Sequence, residues 1–263
     1  MAKIAFDISS ALYTEGGAYA AEPDKNGVFK DFPIMCLGKV SRNNKEYEVE
    51  SMVYALTSPN SVFYKKLKMG QLQGEYGHPL VTEEKDIARI AVVDPTKVSH
   101  CIHKVRCGEP TEKGYRIVYA DIEPCGPYGQ FLKESLLNPR MNTAFSLRSL
   151  VAKIGQQGPV IKQRVTALIT VDAVDAPGYA EASKVRIPSM EGLSFDIEHP
   201  ENHLEELAVA CGCESINDQQ LLDMLQVNKV VINNSLNGIV DERGCYICTA
   251  DGKKSFFHEL WNK

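Results

Sequence analysis

The chain has 263 residues, of which 24% are charged and 44% hydrophobic, with a formal net charge of −5. This length can bury one good core and still carry a smaller appendage. The acidic balance argues against a protein that coats nucleic acid, and no apolar run approaches the ~18 to 20 residues that a membrane-spanning helix needs. The Met-Ala-Lys-Ile start has no signal-peptide core, so we expect a cytosolic protein without nucleic-acid or membrane partners.

The predicted elements of the first half are short strands around one helix. Residues 1–30, with several Gly, Pro and Asn, are expected to form a loop-rich arm. The segment Ser58-Pro59-Asn60 offers a cap for a helix that ends near Met69. Extended runs between turn-forming residues are predicted over 32–40, 46–56, 88–93, 97–107 and 114–123.

A second helix and two strands follow. Gly126-Pro127 opens the helix, and apolar residues repeat at helical spacing until Asn138-Pro139. The helix leads into a strand over 143–154, and a run rich in β-branched residues predicts another strand over 164–177. Short strands with interposed helices, without regular βαβ alternation, indicate an α+β fold.

The composition shifts in the last quarter of the chain. An acidic stretch is followed by a predicted helix over 218–226 and by a hairpin with turn signals at Asn237-Gly238 or Arg243-Gly244. The sequence therefore predicts a main domain over 1–191 and a separable C-terminal segment over 192–263.

His78 and Ser146 are a candidate base and nucleophile. A serine hydroxyl needs a positioned base near neutral pH, and histidine has the unperturbed pKa that suits this task. His78 lies in the segment Gly-Glu-Tyr-Gly-His-Pro (74–79), and Ser146 lies in Ala-Phe-Ser-Leu-Arg-Ser (144–149). Because the chain has six histidines and many serines, the pair needs support from the motifs around it.

The order of these motifs resembles that of the phage prohead (capsid maturation) proteases. A Gly-Glu-x-x-His-Pro segment follows a helix and is itself followed by Val-Ser-His (98–100) and then by a Ser-x-Arg strand. The resemblance covers about residues 30–190. Leu147 stands where the family has a second serine, which leaves Ser146 and Arg148 in register. These proteases are similar to herpesvirus assembly proteases, so the resemblance implies a mostly antiparallel β-barrel flanked by helices, with a small C-terminal appendage.

The resemblance also implies a third catalytic group on a strand beyond the serine. A carboxylate or a second histidine there would hold the imidazole in one tautomer and stabilise its positive charge. Asp172 lies at the corresponding place in this sequence. Asp175, His100 and Glu75 are the alternatives, in that order, and the sequence leaves them open.

Arg148 lies two residues after Ser146, so both side chains point to the same face of an extended strand. Its guanidinium is expected to organise an oxyanion site or to bind a substrate carboxylate, because a fixed cation stabilises developing negative charge. The structural alternative is a surface salt bridge.

Eight cysteines in a chain without a secretory signal indicate reduced thiols. Four of them could close a tetrahedral zinc site, and these are Cys211, Cys213, Cys245 and Cys248. The Cys-Gly-Cys spacing is tighter than in zinc knuckles, and the catalytic hypothesis needs no metal. We therefore predict no cofactor and leave zinc at these cysteines open.

Proteases of this kind cut after glutamate, often with a small or aliphatic residue two positions earlier, and many cut themselves. Ser189-Met190-Glu191 fits this pattern at the predicted domain boundary, so we expect self-cleavage between Glu191 and Gly192. The resemblance further implies scaffold protein and major capsid protein as substrates. It also implies self-association and a place inside the assembling prohead in the host cytoplasm.

Two other functions remain open. A catalytically silent scaffold or core protein of the prohead would keep the protease-like fold and use the acidic C-terminal segment for assembly contacts. The presence of both His78 and Ser146 favours an enzyme over that alternative. A zinc-dependent hydrolase is less favoured, because the sequence contains no His-Glu-x-x-His run.

Overall fold

The computed structural model describes residues 3–11, 21–41, 44–79, 87–112, 114–141, 143–174, 194–197, 203–212, 215 and 247–249, and of residues 3–11, 87, 194–196 and 247–249 it describes the backbone alone. The strands within these ranges are β1 (Lys3–Ala11), β2 (Phe29–Leu37), β3 (Lys45–Tyr47), β4 (Gln73–Glu75), β5 (Val98–Pro110), β6 (Arg116–Pro124), β7 (Ala144–Gln157), β8 (Val160–Val174), β9 (Ser194–Asp196) and β10 (Ile247–Thr249). The helices are α1 (Val49–Thr57), α2 (Val62–Lys68), α3 (Ile87–Ala91), α4 (Gly129–Leu137) and α5 (Leu204–Cys211).

The first sheet is built on the long antiparallel hairpin of β7 and β8. Its strand order is β3-β8-β7-β1-β9, with β3 parallel to β8 and the other neighbours antiparallel. At the hairpin turn Gly158 has a φ of 58°, a left-handed conformation that glycine adopts without a steric penalty. The register places Ser146 opposite Asp172 and Arg148 opposite Thr170.

The second sheet has the order β10-β5-β6-β2, and β4 pairs with the first part of β5. Contacts that join β4 and the residue after it to the first sheet include a parallel bridge between Tyr76 and Ala173 and a 2.5 Å hydrogen bond from Thr170 Oγ1 to the carbonyl of Gln73. The described strands therefore form two antiparallel-rich sheets with helices, which confirms the α+β class. Their pairing does not close into the barrel that we predicted, because each sheet keeps its own edges.

The main core lies between the two sheets. Phe29 and Met35 of β2 pack in one buried cluster with Phe145 and Val171 of the hairpin, and α1, α2 and α4 contribute to the same cluster. A second cluster covers the other face of the first sheet, where Leu150 packs with residues of α3 and α5. The half of the hairpin away from its turn, residues 144–152 and 167–173, is thus buried on both faces, so polar groups there need partners within the protein.

Most predicted elements are confirmed, with shifts of a few residues at their ends. The helix predicted after Ser58 is α2, which Ser61 caps by accepting a hydrogen bond from the N–H of Tyr64 at 3.1 Å. The helix predicted after Gly126-Pro127 is α4. The extended runs predicted over 32–40, 97–107, 114–123, 143–154 and 164–177 correspond to β2, β5, β6, β7 and β8.

Three predictions of local structure are wrong. Residues 49–56, predicted as extended, lie in α1, and their apolar residues do recur at helical spacing. Residues 88–91, also predicted as extended, belong to α3. The prediction was wrong because a short, mainly apolar segment fits a strand and a helix equally well. Residues 3–11, assigned to the loop-rich arm, form β1 between β7 and β9, as the alternation of Ile4, Phe6 and Ile8 would have indicated.

The described parts of the predicted C-terminal segment contact both sheets, since β10 pairs with β5 of the second sheet while the parts from β9 to α5 pack against the first. β9 pairs with β1, and Ile197 and Leu207 are buried in the second cluster. The helix predicted over 218–226 and the hairpin with its two candidate turns lie outside the described residues, as does the boundary at Glu191 and Gly192. None of the helices described is long and apolar enough to cross a membrane.

Candidate active site

Backbone contacts fix the loop that carries His78 onto strand β8. The N–H of Glu75 donates to Asp172 Oδ1 at 3.0 Å, and the N–H of Gly77 donates to the carbonyl of Ala173 at 2.7 Å. Gly77 has a φ of 79°, which favours glycine immediately before the histidine. These contacts bring His78 over the end of β8.

His78 and Asp172 form a hydrogen-bonded pair. His78 Nδ1 lies 3.0 Å from Asp172 Oδ2, and the side chains are 19% and 0% exposed, respectively. An ionised carboxylate can only accept hydrogen bonds, so the hydrogen of this pair belongs to Nδ1. In the neutral imidazole Nε2 then carries a lone pair, as a general base requires.

Ser146 lies beside this pair on the sheet. It is directly opposite Asp172 in the β7–β8 register and is 2% exposed. Directly opposite residues of antiparallel strands project to the same face, with Cβ atoms about 4.5–5.5 Å apart. Asp172 is therefore the common neighbour of His78 and Ser146. The described hydrogen bonds of His78 include the one to Asp172 and none to Ser146.

The Asp172 carboxylate stays ionised although it is fully buried. Burial acts to raise its pKa, but the charge of Arg148 and the hydrogen bonds from His78 and the N–H of Glu75 outweigh burial and lower the pKa from 3.8 to about 2. Such a carboxylate holds a fixed negative charge at any pH near neutrality, which stabilises a protonated imidazole beside it.

The described contacts of Arg148 differ from those expected of an oxyanion or substrate ligand and of a surface salt bridge. The guanidinium is fully buried and binds Asp172 with two hydrogen bonds, from Nε to Oδ2 at 2.9 Å and from Nη2 to Oδ1 at 2.7 Å. Nη2 also lies 3.0 Å from Glu75 Oε1, and Nη1 donates to the carbonyls of Val92 at 2.8 Å and Ile90 at 3.4 Å. All five N–H groups are directed at these partners, so the guanidinium supports Asp172 and faces neither solvent nor an open substrate site.

Glu75 connects Arg148 to a second arginine. Its buried carboxylate accepts hydrogen bonds from both terminal nitrogens of Arg89, with Nη1 at 2.9 Å from Oε1. The N–H of Asp94 donates to the same Oε1 at 2.8 Å. Two carboxylates and two guanidiniums thus alternate beneath His78, and each buried charge has an opposite charge in contact.

Comparison with known proteins decides the family. The model of the Peptidase S80 family matches residues 18–232, which is most of the chain. The chain belongs to the Peptidase S80 family.

This S80 chain is also similar to individual phage proteins. It is 27% identical over 180 residues to the capsid maturation protease of Pseudomonas phage phiKZ, and the match covers 64% of the chain and 65% of that relative. The alignment thus spans just under two thirds of the relative's length. Among solved structures, the capsid assembly protease of bacteriophage T4 matches with a TM-score of 0.46 and 15% identity, covering 65% of this chain and 98% of the T4 chain.

The three alternatives for the third group have different positions in the S80 chain. Glu75 is in contact with the two arginines, and none of its described contacts is with His78. His100 is fully buried, its Nδ1 lies 2.8 Å from Ser99 Oγ, and burial lowers its pKa to about 4. Asp175 lies outside the described residues. Of the three candidates within the described residues, Asp172 is the one found in contact with His78.

His100 instead packs inside the S80 fold. Its ring makes an edge contact with Phe145, at 5.2 Å between centroids. Gly74 allows this packing, because a Cβ there would lie 2.5 Å from His100 Nε2 and 2.1 Å from the carbonyl of Val171. The Gly-Glu motif therefore has a steric reason for its glycine.

Two of the four cysteines in the zinc hypothesis for the S80 chain lie outside the described residues. Cys211 ends α5 and the backbone of Cys248 lies in β10, whereas Cys213 and Cys245 are outside the described residues. In the part of the chain that the structure describes, no three His, Cys, Asp or Glu side chains are grouped to hold a metal.

Sequence reasoning missed Arg89 and Asp94 as members of the site. Arg89 lies in a segment that we predicted as extended, where its direction could not be inferred. The signal that could have indicated a cationic partner was Glu75. A carboxylate that becomes buried needs an opposite charge in contact with it. The sequence did not indicate which of its arginines and lysines supplies that cation.

Proposed function

We propose that this chain is a serine endopeptidase of phage prohead maturation, with Ser146 as nucleophile, His78 as general base and Asp172 as the group that orients His78. The observation that carries the proposal is the bond from His78 Nδ1 to the buried Asp172 carboxylate, with Ser146 directly opposite Asp172 in the sheet. Membership in the Peptidase S80 family supports it.

The chemistry follows from the orientation of the imidazole. As Ser146 Oγ attacks the scissile carbonyl, His78 Nε2 takes the hydroxyl proton, and the Nδ1–H to Asp172 bond stabilises the resulting imidazolium. The tetrahedral intermediate collapses when His78 gives that proton to the leaving amine. Water, activated by His78 in the same way, then releases the acyl group from Ser146.

Arg148 acts in this proposal as a positioning residue rather than as an oxyanion or substrate ligand. Its two bonds to Asp172 leave the carboxylate one orientation, with Oδ2 directed at both Arg148 and His78. The carboxylate of Glu75 lies against Nη2 of Arg148, and the guanidinium of Arg89 balances the charge of Glu75. The network keeps a full negative charge at Asp172 in a buried site.

The substrates that we propose are the scaffold protein and the major capsid protein, cut after glutamate inside the assembling prohead in the host cytoplasm. The similarity to a capsid maturation protease supports this assignment. Self-association and kinship with the herpesvirus assembly proteases belong to the same proposal.

We also propose that the chain cleaves itself between Glu191 and Gly192. The bond lies in Ser-Met-Glu-Gly (189–192), after the last described residue of β8 and before β9. Cleavage there would separate α5 from the chain that forms the catalytic hairpin, although α5 would keep its contacts with the second cluster. The segment 192–263 is then a candidate for latency control or for docking to the scaffold.

Intact mass spectrometry tests the function directly. Wild-type protein and Ser146→Ala are incubated with a peptide that contains Ser-Met-Glu-Gly, and both peptide and protein masses are followed. We expect cleavage after glutamate in the wild type and at least a 10⁴-fold slower reaction in Ser146→Ala, as for the loss of a serine nucleophile. Ser149→Ala, which changes another buried serine of β7, is expected to keep the activity.

The outcomes separate the hypotheses. Equal cleavage by wild type and Ser146→Ala would reject Ser146 as the nucleophile. If the wild type, folded and also tested in the presence of scaffold protein, cuts neither the peptide nor itself, the catalytically silent scaffold is the better description. Equal cleavage of peptides in which alanine or lysine replaces this glutamate would reject the preference for glutamate and would leave the serine-protease assignment intact.

A further inference from the structure

A pair of thiols lies on the second sheet, outside the candidate active site. The Sγ atoms of Cys101 and Cys125 are 2.9 Å apart, and both cysteines are partly exposed. Sulfur atoms in a disulfide are about 2.0 Å apart, so bonding the two would require the sulfurs to approach by about 0.9 Å.

The pairing of β5 with β6 brings the two thiols together. Cys101 is opposite Glu123 in the register, and the N–H of Cys125 donates to the carbonyl of Ser99 at 3.0 Å, which continues the ladder past the end of β6. Residues two apart on a strand share a face. Cys125 is therefore the diagonal neighbour of Cys101 on the same face.

The surroundings distinguish the two sulfurs. The pKa of Cys101 is lowered to about 6, chiefly by the hydrogen bond from Cys125 and then by the hydrogen bond from Gln73 and the charge of His103. Burial and the charge of Glu123 act in the opposite direction but are outweighed. The same bond keeps the proton on Cys125 and raises its pKa. His103 of β5 and Glu123 of β6 are hydrogen-bonded to each other beside the pair, and Gln73 of β4 lies 3.9 Å from Cys101 Sγ.

Two other described cysteines, Cys36 and Cys107, lack these properties. Cys36 is buried, and burial raises its pKa to about 12. Cys107 is also buried. Thiols react as thiolates and only where a reagent can reach them, so neither of these two is expected to compete with Cys101.

We propose that Cys101 and Cys125 form a dithiol site that exchanges with low-molecular-weight disulfides, with Cys101 as the attacking thiol and Cys125 as the resolving thiol. The Cys101 thiolate attacks one sulfur of the small disulfide and releases one thiolate, leaving a mixed disulfide on Cys101. Cys125 loses its proton and attacks Cys101 Sγ, which forms the internal disulfide and releases the second thiolate. The protein loses two electrons and two protons, and the small disulfide is reduced to two thiols.

The dithiol lies next to the segments that support the candidate active site. Cys101 pairs with Gln73 in β4, the strand that leads to His78. Cys125 comes three residues before Tyr128, whose ring stacks on Tyr76 at 5.8 Å between centroids. The disulfide would join β5 to the segment that enters α4, and the proposal requires no proteolytic activity.

Peptide mapping of the full-length chain tests the proposal. The native protein is incubated with excess oxidised glutathione, quenched with acid, alkylated and digested. We expect a peptide that links Cys101 to Cys125 in the wild type, and its loss after dithiothreitol. In Cys125→Ser the resolving thiol is absent, so one glutathione should accumulate on Cys101. In Cys101→Ser, glutathione on Cys125 should form at least tenfold more slowly.

Two results would overturn the proposal. One is a folded wild type that yields no Cys101 to Cys125 link while oxidised glutathione remains in excess. The other is equal labelling of Cys125 in Cys101→Ser and of Cys101 in Cys125→Ser, which would reject the assigned roles. The wild-type result needs no variant, and the unfolding midpoint of each variant shows whether its labelling reports on the native fold.

Discussion

Around Ser146, Arg148 and Asp172 the two faces of the β7–β8 hairpin are both buried but are held by different forces. Leu147 and Val171 pack in the main core, whereas Ser146, Arg148 and Asp172 project to the opposite face. Burial of apolar surface is non-directional and depends on the area removed from water. Charge-assisted hydrogen bonds depend on direction, and removing one partner leaves the other buried and unpaired. The apolar face should therefore govern stability, and the polar face should govern chemistry and stability together.

The largest expected effect comes from Asp172→Asn. The amide would present an N–H group to His78 Nδ1, which reverses the tautomer and puts the proton on the nitrogen that must accept one from Ser146. We expect kcat/KM for the glutamate peptide to fall by about 10⁴-fold, as in other triads of this type. Asp121→Asn is the matched control, because it changes a buried aspartate bound to Lys30 on the other sheet. An Asp172→Asn protein with the wild-type kcat/KM would reject Asp172 as the orienting group.

Arg148→Met should affect folding first. The change leaves the carboxylates of Asp172 and Glu75 facing an apolar side chain, and breaking such a buried network costs about 3–5 kcal/mol. Chemical denaturation measures this loss. Arg140→Met, at an exposed position, should change the free energy of unfolding by less than about 0.5 kcal/mol. Equal effects of the two substitutions would show that the Arg148 network contributes little.

The same substitution sharpens the assignment of Arg148 as a positioning residue. Without its charge the pKa of Asp172 should rise, because Arg148 is the main group that lowers it. The pH below which protonation of Asp172 abolishes kcat/KM should then be higher in the folded fraction of Arg148→Met than in the wild type. An unchanged profile with lower stability would indicate a purely structural role.

Leu147→Ala tests the apolar face of the same strand. Leu147 is 1% exposed within the main core, and leucine-to-alanine changes at such sites cost about 2–5 kcal/mol. We expect the loss of unfolding free energy without a comparable loss of kcat/KM in the protein that remains folded. A fall in kcat/KM as large as that of Asp172→Asn would contradict the separation of the two faces.

A smaller effect is expected in the pH dependence of stability. The pKa of Asp172 is lower in the folded protein, about 2, than its ordinary value of 3.8. A lowered pKa contributes stability that is present above the unfolded pKa and is lost as the pH falls toward the folded pKa. The contribution should be on the order of 2 kcal/mol and disappear between about pH 4 and pH 2. The difference in unfolding free energy between wild type and Asp172→Asn should narrow over that interval.

The features of this site differ in whether they depend on local sequence or on long-range strand pairing, and only the local ones could be predicted. The alternation along β7 and β8 is a local property, so the common face of Ser146 and Arg148 followed from the sequence alone. The choice of Asp172 as the partner of His78 depended on strand register and on the path of the loop over β8. Register is set by pairing over the whole hairpin, with bulges near residues 149 and 151 that the sequence does not mark.

The errors have the same origin. α1 and α3 are short apolar segments that could form a strand or a helix, and packing against the first sheet decides between them. Their consequence was largest at α3, because Arg89 of that helix supplies the cation for Glu75. Arg148 was predicted on the correct face but with the wrong partners, since its direction depends on carbonyls of Ile90 and Val92.

By itself the sequence determined the α+β class, most strands and the helix before the His78 loop, and it supplied the candidate catalytic residues. These features depend on local periodicity, turn residues and side-chain chemistry, which are read within a short stretch of chain. The tertiary structure decided which carboxylate binds His78, that Arg148 is buried beneath it, and that two cysteines 24 positions apart are in contact. Those features depend on long-range pairing and burial, where the free energy of a contact is set by all the groups that surround it.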